Sequence, residues 1–150
     1  MVEGSQGNAP RFSITLGLRE GYGPNAKTHS VEKVVSLTEA YLKGCASRGE
    51  PFLPGIVTTG VVVYAWSEGS GVTERPTAGS GNEQQASYGG NINPLYHSSL
   101  TCNEVEGFLN GLASALGSAL GQTRVYVEFD GQLWILQQSA SETPTGEKVA

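Results

Sequence analysis

Nine lysines and arginines, set against fourteen aspartates and glutamates, leave this 150-residue chain with a net charge of −5. No basic run exists to neutralise several phosphates at once, which strong non-specific nucleic-acid binding requires. Nucleic acid is therefore not an expected partner, and neither is an anionic membrane surface. No apolar run approaches the ~20 residues that span a bilayer. The opening MVEGSQGNAPR lacks the basic-then-apolar order of a secretory signal. The two cysteines, Cys45 and Cys102, form no CxxC pair and read as buried or free thiols of a reducing compartment. Charged residues make up only 15% and apolar ones 38%, the latter below the usual ~45–50% of globular chains. A modest core with generous loops follows, and the length suits one domain.

What is present is ordered by period. In RFSITLGL, Phe12, Ile14, Leu16 and Leu18 alternate with polar or small residues, the mark of a strand with one buried face. Ser30 can cap a helix whose apolar stripe is Val31, Val34, Val35, Thr38, Tyr41, Leu42 and Cys45, ending near Gly44 or Gly49. The β-branched run from Ile56 to Trp66 predicts a second strand, with Gly60 a candidate bulge. Residues 67–85 have almost nothing to bury and read as a long loop or hairpin tip. ASYGGNINPLY predicts a weaker strand ending at Pro94. Thr101 and Glu104 form a T-x-x-E capping box opening a helix that ends near Gly121. Asp130-Gly131, between RVYVEF and QLWIL, is a strong hairpin signal, because a type I′ turn needs positive φ at both central positions.

The order strand, helix, strand, strand, helix, strand, strand predicts an α+β fold. It is a ferredoxin-like split βαβ antiparallel sheet with two helices on one face, plus a C-terminal β-hairpin. The expected boundaries are a flexible arm over 1–10, one domain over 11–136 with a flexible insertion at 67–87, and a flexible tail over 137–150. The two strand-to-helix junctions, 19–30 and 91–101, are expected to approach one another.

Chemistry is harder to find. His29 and His97 each precede a helix, yet neither has an Asp, Glu or Cys partner in a recognisable metal pattern. There is no GxSxG elbow, and neither cysteine has a fixed base. Glu104 and Glu106 lie in a first helical turn, where negative charge meets the dipole favourably. No catalytic residue, metal or cofactor is expected, and the chain reads as a non-enzyme. Binding fits better. Helix N-termini offer unpaired N–H groups to an anion, and glycines at 21, 23, 89 and 90 allow close backbone approach. The expected ligand-binding residues are Arg19, Tyr22, Lys27, His29, Asn91, Asn93, Tyr96, His97 and Arg124, facing a small anionic or nucleotide ligand. Open sheet edges make a homo-oligomer the expected assembly.

The strand ending in GL, the polar loop, and the helix ending in LGQ before a strand carry a resemblance. ITLGL (14–18), the GYG…HS loop (21–30) and ALGQTRVYV (119–127) resemble small phage- and prophage-encoded α+β proteins. Some of these are anti-defence sponges, of the Thoeris-directed kind, that sequester a nucleotide signal without cleaving it. The resemblance implies a sponge acting in the cytoplasm of an infected bacterial host. The alternative from another class is a virion or scaffold protein whose Gly/Ser/Thr-rich arms order on assembly.

Overall fold

The computed structural model describes residues 9–21, 24–68, 77–93, 97 and 99–138. Most of the expected N-terminal arm and most of the C-terminal tail fall outside them. Seven strands and two helices are described: β1 (Arg11–Gly17), β2 (Arg19–Glu20), β3 (Lys27–Thr28), α1 (Val31–Arg48), β4 (Ile56–Glu68), β5 (Thr77–Asn91), α2 (Cys102–Ala119), β6 (Arg124–Phe129) and β7 (Gln132–Gln137). Five strands form one antiparallel sheet in the order β4-β5-β1-β6-β7, and β2 pairs with β3 in a small ribbon beside it. This is the expected ferredoxin-like arrangement, with β7 added as the last strand of the C-terminal hairpin.

Alternation decides which face of the sheet is covered. Phe12, Ile14, Leu16, Tyr88, Val125, Val127 and Phe129 point to one side and are buried, as are Val105, Phe108, Leu109, Leu112 and Leu116 of α2. Helix α1 buries Val34, Thr38 and Cys45, but Val35, placed on the same stripe by spacing, is exposed. The caps form as their chemistry dictates. Ser30 Oγ accepts from Lys33 N, and Thr101 and Glu104 exchange both capping-box bonds. Gly49 closes α1 at φ +67°, and Asp130 and Gly131 turn the last hairpin at φ 50° and 81°. Gly111 leaves room for the Tyr41 hydroxyl, so small residues on α2 serve helix packing.

Two local expectations change. Gly60 pairs in plain register with Gln85, without a bulge. Residues 77–85, read as a long loop or hairpin tip, are strand: β4 and β5 stay paired from Ile56↔Gly89 to Glu68↔Thr77. The reason is local. Gly79 and Gly81 leave space that the rings of Trp66 and Tyr64 occupy across the ladder, so pairing and ring cover, not burial in the core, hold this segment.

Candidate functional site

Beyond Gly17 the chain leaves the sheet, and Leu18 turns back onto the core while Arg19–Glu20 pairs with Lys27–Thr28. His29 follows directly. Its backbone N–H donates to Leu18 O at 2.7 Å, closing the small ribbon. Ser30 then caps α1. This crossing of β2, β3 and the start of α1 lies against β4, and a cavity of about 410 Å³ opens between them. Its walls are Leu18, Val31 and Val61, with Ser30, Thr59, Gln84, Glu32 and His29 supplying polar groups. That volume falls within the range of small-molecule sites.

His29 is the buried polar member of this wall. Its side chain is 2% exposed, and Nε2 lies 3.0 Å from Glu20 Oε2. Nδ1 lies 3.4 Å from Lys33 Nζ, one turn into α1. The turn after α2 backs the arrangement: Gln122 Nε2 donates to Arg19 O at 2.9 Å and to Leu120 O at 3.1 Å. Gly121, at φ +62°, leaves its side-chain space to the Glu20 carboxylate. Among the described residues, no three His, Cys, Asp or Glu side chains converge as a metal site would need.

The sequence-predicted residues divide into two groups. Arg19, Lys27, His29 and Arg124 lie at the end of the sheet where β1 finishes. Arg124 opens β6, whose far end, Phe129, pairs with Phe12 at the start of β1. Asn91 pairs with Arg11 at the other end of β1, and Asn93 O accepts from His97 N there. The expected approach of the two junctions is therefore corrected. β1 and β5 are antiparallel, so their C-terminal ends lie a strand's length apart, roughly 20 Å for six residues. Tyr22 and Tyr96 lie outside the described residues. Glu20, Lys33, Thr59, Gln84 and Gln122 were not among the expected site residues. Lys33 alone had a readable signal, its four-residue spacing from His29.

Two smaller grooves lie among the described residues. One, of about 300 Å³, runs between the end of α2 and β6–β7 past Ser114, Ser118 and Thr123. The other, of about 370 Å³, separates α1 from α2 at Tyr41 and Ala115. Neither is lined by a histidine or a carboxylate side chain.

No family model matches the chain, and no curated protein does. Its fold, however, is found among solved structures. A phage SAM lyase in complex with S-methyl-5′-thioadenosine is similar over 92% of this chain and 96% of its own, with a TM-score of 0.57 and 18% identity. A phage SAM lyase in the apo state covers 93% of this chain and 98% of its own, with a TM-score of 0.56 and 19% identity. Both of these structures are of phage proteins, and one of them holds S-methyl-5′-thioadenosine. Neither is a Thoeris-type sponge. The expectations of a non-catalytic sponge and of a non-enzyme are both corrected by this comparison, since these two structures, alike along nearly the whole chain, are of a lyase. Among the described residues no helix is long and apolar enough to cross a membrane.

Proposed function

We propose that this chain is a lyase of S-adenosylmethionine or a close sulfonium analogue, releasing S-methyl-5′-thioadenosine inside an infected bacterial cell. The fold shared with phage SAM lyases, one of them holding that thioether, is the observation that carries the reading. The chemistry removes the objection raised by the missing nucleophile. In a sulfonium the leaving group is already a neutral thioether. The bond between sulfur and the aminobutyryl carbon breaks, its electron pair stays with sulfur, and the positive charge disappears. The carbon is satisfied within the same molecule, by its own carboxylate oxygen closing a ring or by loss of a neighbouring proton to that carboxylate to form a double bond. Neither route adds water or needs a protein nucleophile.

What such a reaction needs is a site that holds the substrate folded and solvates the cation poorly, because the charge fades in the transition state. The cavity beside α1 supports this role. Leu18, Val31 and Val61 give it apolar walls, Thr59 and Gln84 can hydrogen-bond a nucleoside, and Glu32 is an exposed carboxylate that draws in a cation.

The test is to incubate the purified chain with S-adenosylmethionine and follow products by mass spectrometry. The expected result is S-methyl-5′-thioadenosine with a four-carbon co-product lacking the elements of water at the earliest times. No thioether, or solvent oxygen in the first co-product formed, would overturn the reading.

We also propose that the chain pairs with a second copy of itself through β4. That strand ends the sheet, and Val61, Val63, Tyr64 and Trp66 are exposed along it. No charged residue lies between Ile56 and Ser67 to discourage pairing. Such an edge is self-complementary when two copies run antiparallel about a twofold axis.

A further inference from the structure

His29 joins two opposite charges. An ammonium carries only donors, so the 3.4 Å contact with Lys33 makes Nδ1 the acceptor. Nε2 must then carry the proton and donate to Glu20 Oε2 at 3.0 Å. These two contacts together assign the ring as the Nε2–H tautomer; it is buried and tied through its own backbone N–H to Leu18 O. Glu20 in turn rests against Gly121. Three elements are therefore braced around one imidazole: the β2–β3 ribbon, the first turn of α1, and the turn after α2.

Lys33 gains most from this bracing. Its side chain is half-buried and its backbone N–H already serves the Ser30 cap. A free lysine samples many rotamers and loses entropy when one is fixed. Here His29 Nδ1, 3.4 Å away, holds the ammonium beside a ring that lines the cavity, Lys33 itself not being one of the lining residues.

We propose that Lys33 binds the carboxylate of the amino-acid portion of the substrate, and that His29 is the positioning residue that presents the ammonium to it. This rests on the lyase reading for the identity of the ligand. The thioether product has no carboxylate, so the interaction distinguishes substrate from product: Lys33 holds S-adenosylmethionine and lets S-methyl-5′-thioadenosine go. Glu20 keeps the tautomer that allows it.

The experiment compares dissociation constants for S-adenosylmethionine and S-methyl-5′-thioadenosine by calorimetry on the full chain, with KM and kcat measured alongside. Lys33→Met should weaken S-adenosylmethionine by ~10-fold or more, the scale of one lost charge-assisted contact. It should leave the thioether within about twofold. His29→Gln should act in the same direction and add nothing further in the Lys33→Met background. Equal weakening of both ligands, weakening of neither, or full additivity of the two substitutions overturns the proposal. If His29→Gln does not fold, Lys33→Met alone decides. Two-bond nitrogen–proton spectra of His29 give a reading independent of ligand and activity. An Nε2–H ring supports the joint, and an Nδ1–H ring overturns it. Binding of both ligands without turnover would sink the lyase reading while leaving the Lys33 comparison intact.

Discussion

The carboxylate of Glu20 occupies the space that a β-carbon on Gly121 would take: an ideal Cβ there would lie 2.5 Å from Glu20 Cδ. Gly121 also sits at φ +62°, where side chains other than glycine are strained. Gly121→Ala should therefore lose about 1–2 kcal/mol from backbone strain and displacement together, seen as a fall of several degrees in Tm. Adding Glu20→Ala should recover the displacement part and leave the strain. Simple additivity of the two losses in thermal unfolding would contradict this account.

Tyr88 makes a prediction about alkaline stability. Burial raises its hydroxyl from the ordinary 10.0 to about 12, and the hydroxyl donates to Leu53 O. The folded chain holds this proton more tightly than the unfolded one. The contribution is fully present below pH 10.0 and is lost as pH rises toward about 12. Tyr88→Phe should lower stability near neutrality by about 1–2 kcal/mol, by orphaning the Leu53 carbonyl. It should also flatten the decline above pH 10.0. Denaturant midpoints of both proteins across that window check the difference. Parallel declines would refute it.

Thr59 lines the cavity from β4 and is exposed. Thr59→Trp should fill the mouth without disturbing the core. The expected outcome is a Tm within about 2 °C of the parent and at least ~10-fold weaker binding of S-methyl-5′-thioadenosine. Unchanged affinity in a folded variant would move the site elsewhere, the groove past Ser114 and Thr123 being next.

Val63 is 78% exposed on the edge strand. Val63→Lys should cost a monomer almost nothing, since surface changes usually stay within ~0.5 kcal/mol. It should nonetheless reduce the mass seen by light scattering at fixed concentration, because a charge on an edge strand blocks pairing. An oligomer that persists in Val63→Lys, or a parent that is already monomeric, argues against pairing through β4.

The fold was legible where one physical rule dominated. Alternation placed Phe12 to Leu18, a capping box placed the start of α2, and Asp130-Gly131 placed the last turn. Thr77–Gln85 was not legible, because its small and polar residues are held by partner strand and ring cover, and neither leaves a period in the sequence. Within the site, His29 stood out as a polar residue at a helix entrance. Its link to Glu20 was hidden, since eight residues intervene and only the folded path brings the two to 3.0 Å. Asn91, Asn93 and His97 were grouped with it by residue type, although an antiparallel sheet sends the two junctions to opposite ends. The expectation of no catalysis came from searching for nucleophiles. Under the proposed lyase reading the substrate carries its own activated leaving group, which leaves no such signature in the protein.

The long hairpin divides the chain's cooperativity. β1 accompanies β5 only from Gln85 to Asn91, so Val61–Glu68 and Thr77–Gln84 are ladder partners of each other alone within this sheet. A two-stranded ribbon is marginal in water, and its free energy of opening is set by its own ladder, not by the core. Amide exchange should therefore be fast and insensitive to core substitutions from Val61 outward. Ile14, Leu16 and Val127 should exchange only with global unfolding. A partner or ligand that slowed the outer amides without touching the inner ones would reveal itself by that pattern alone.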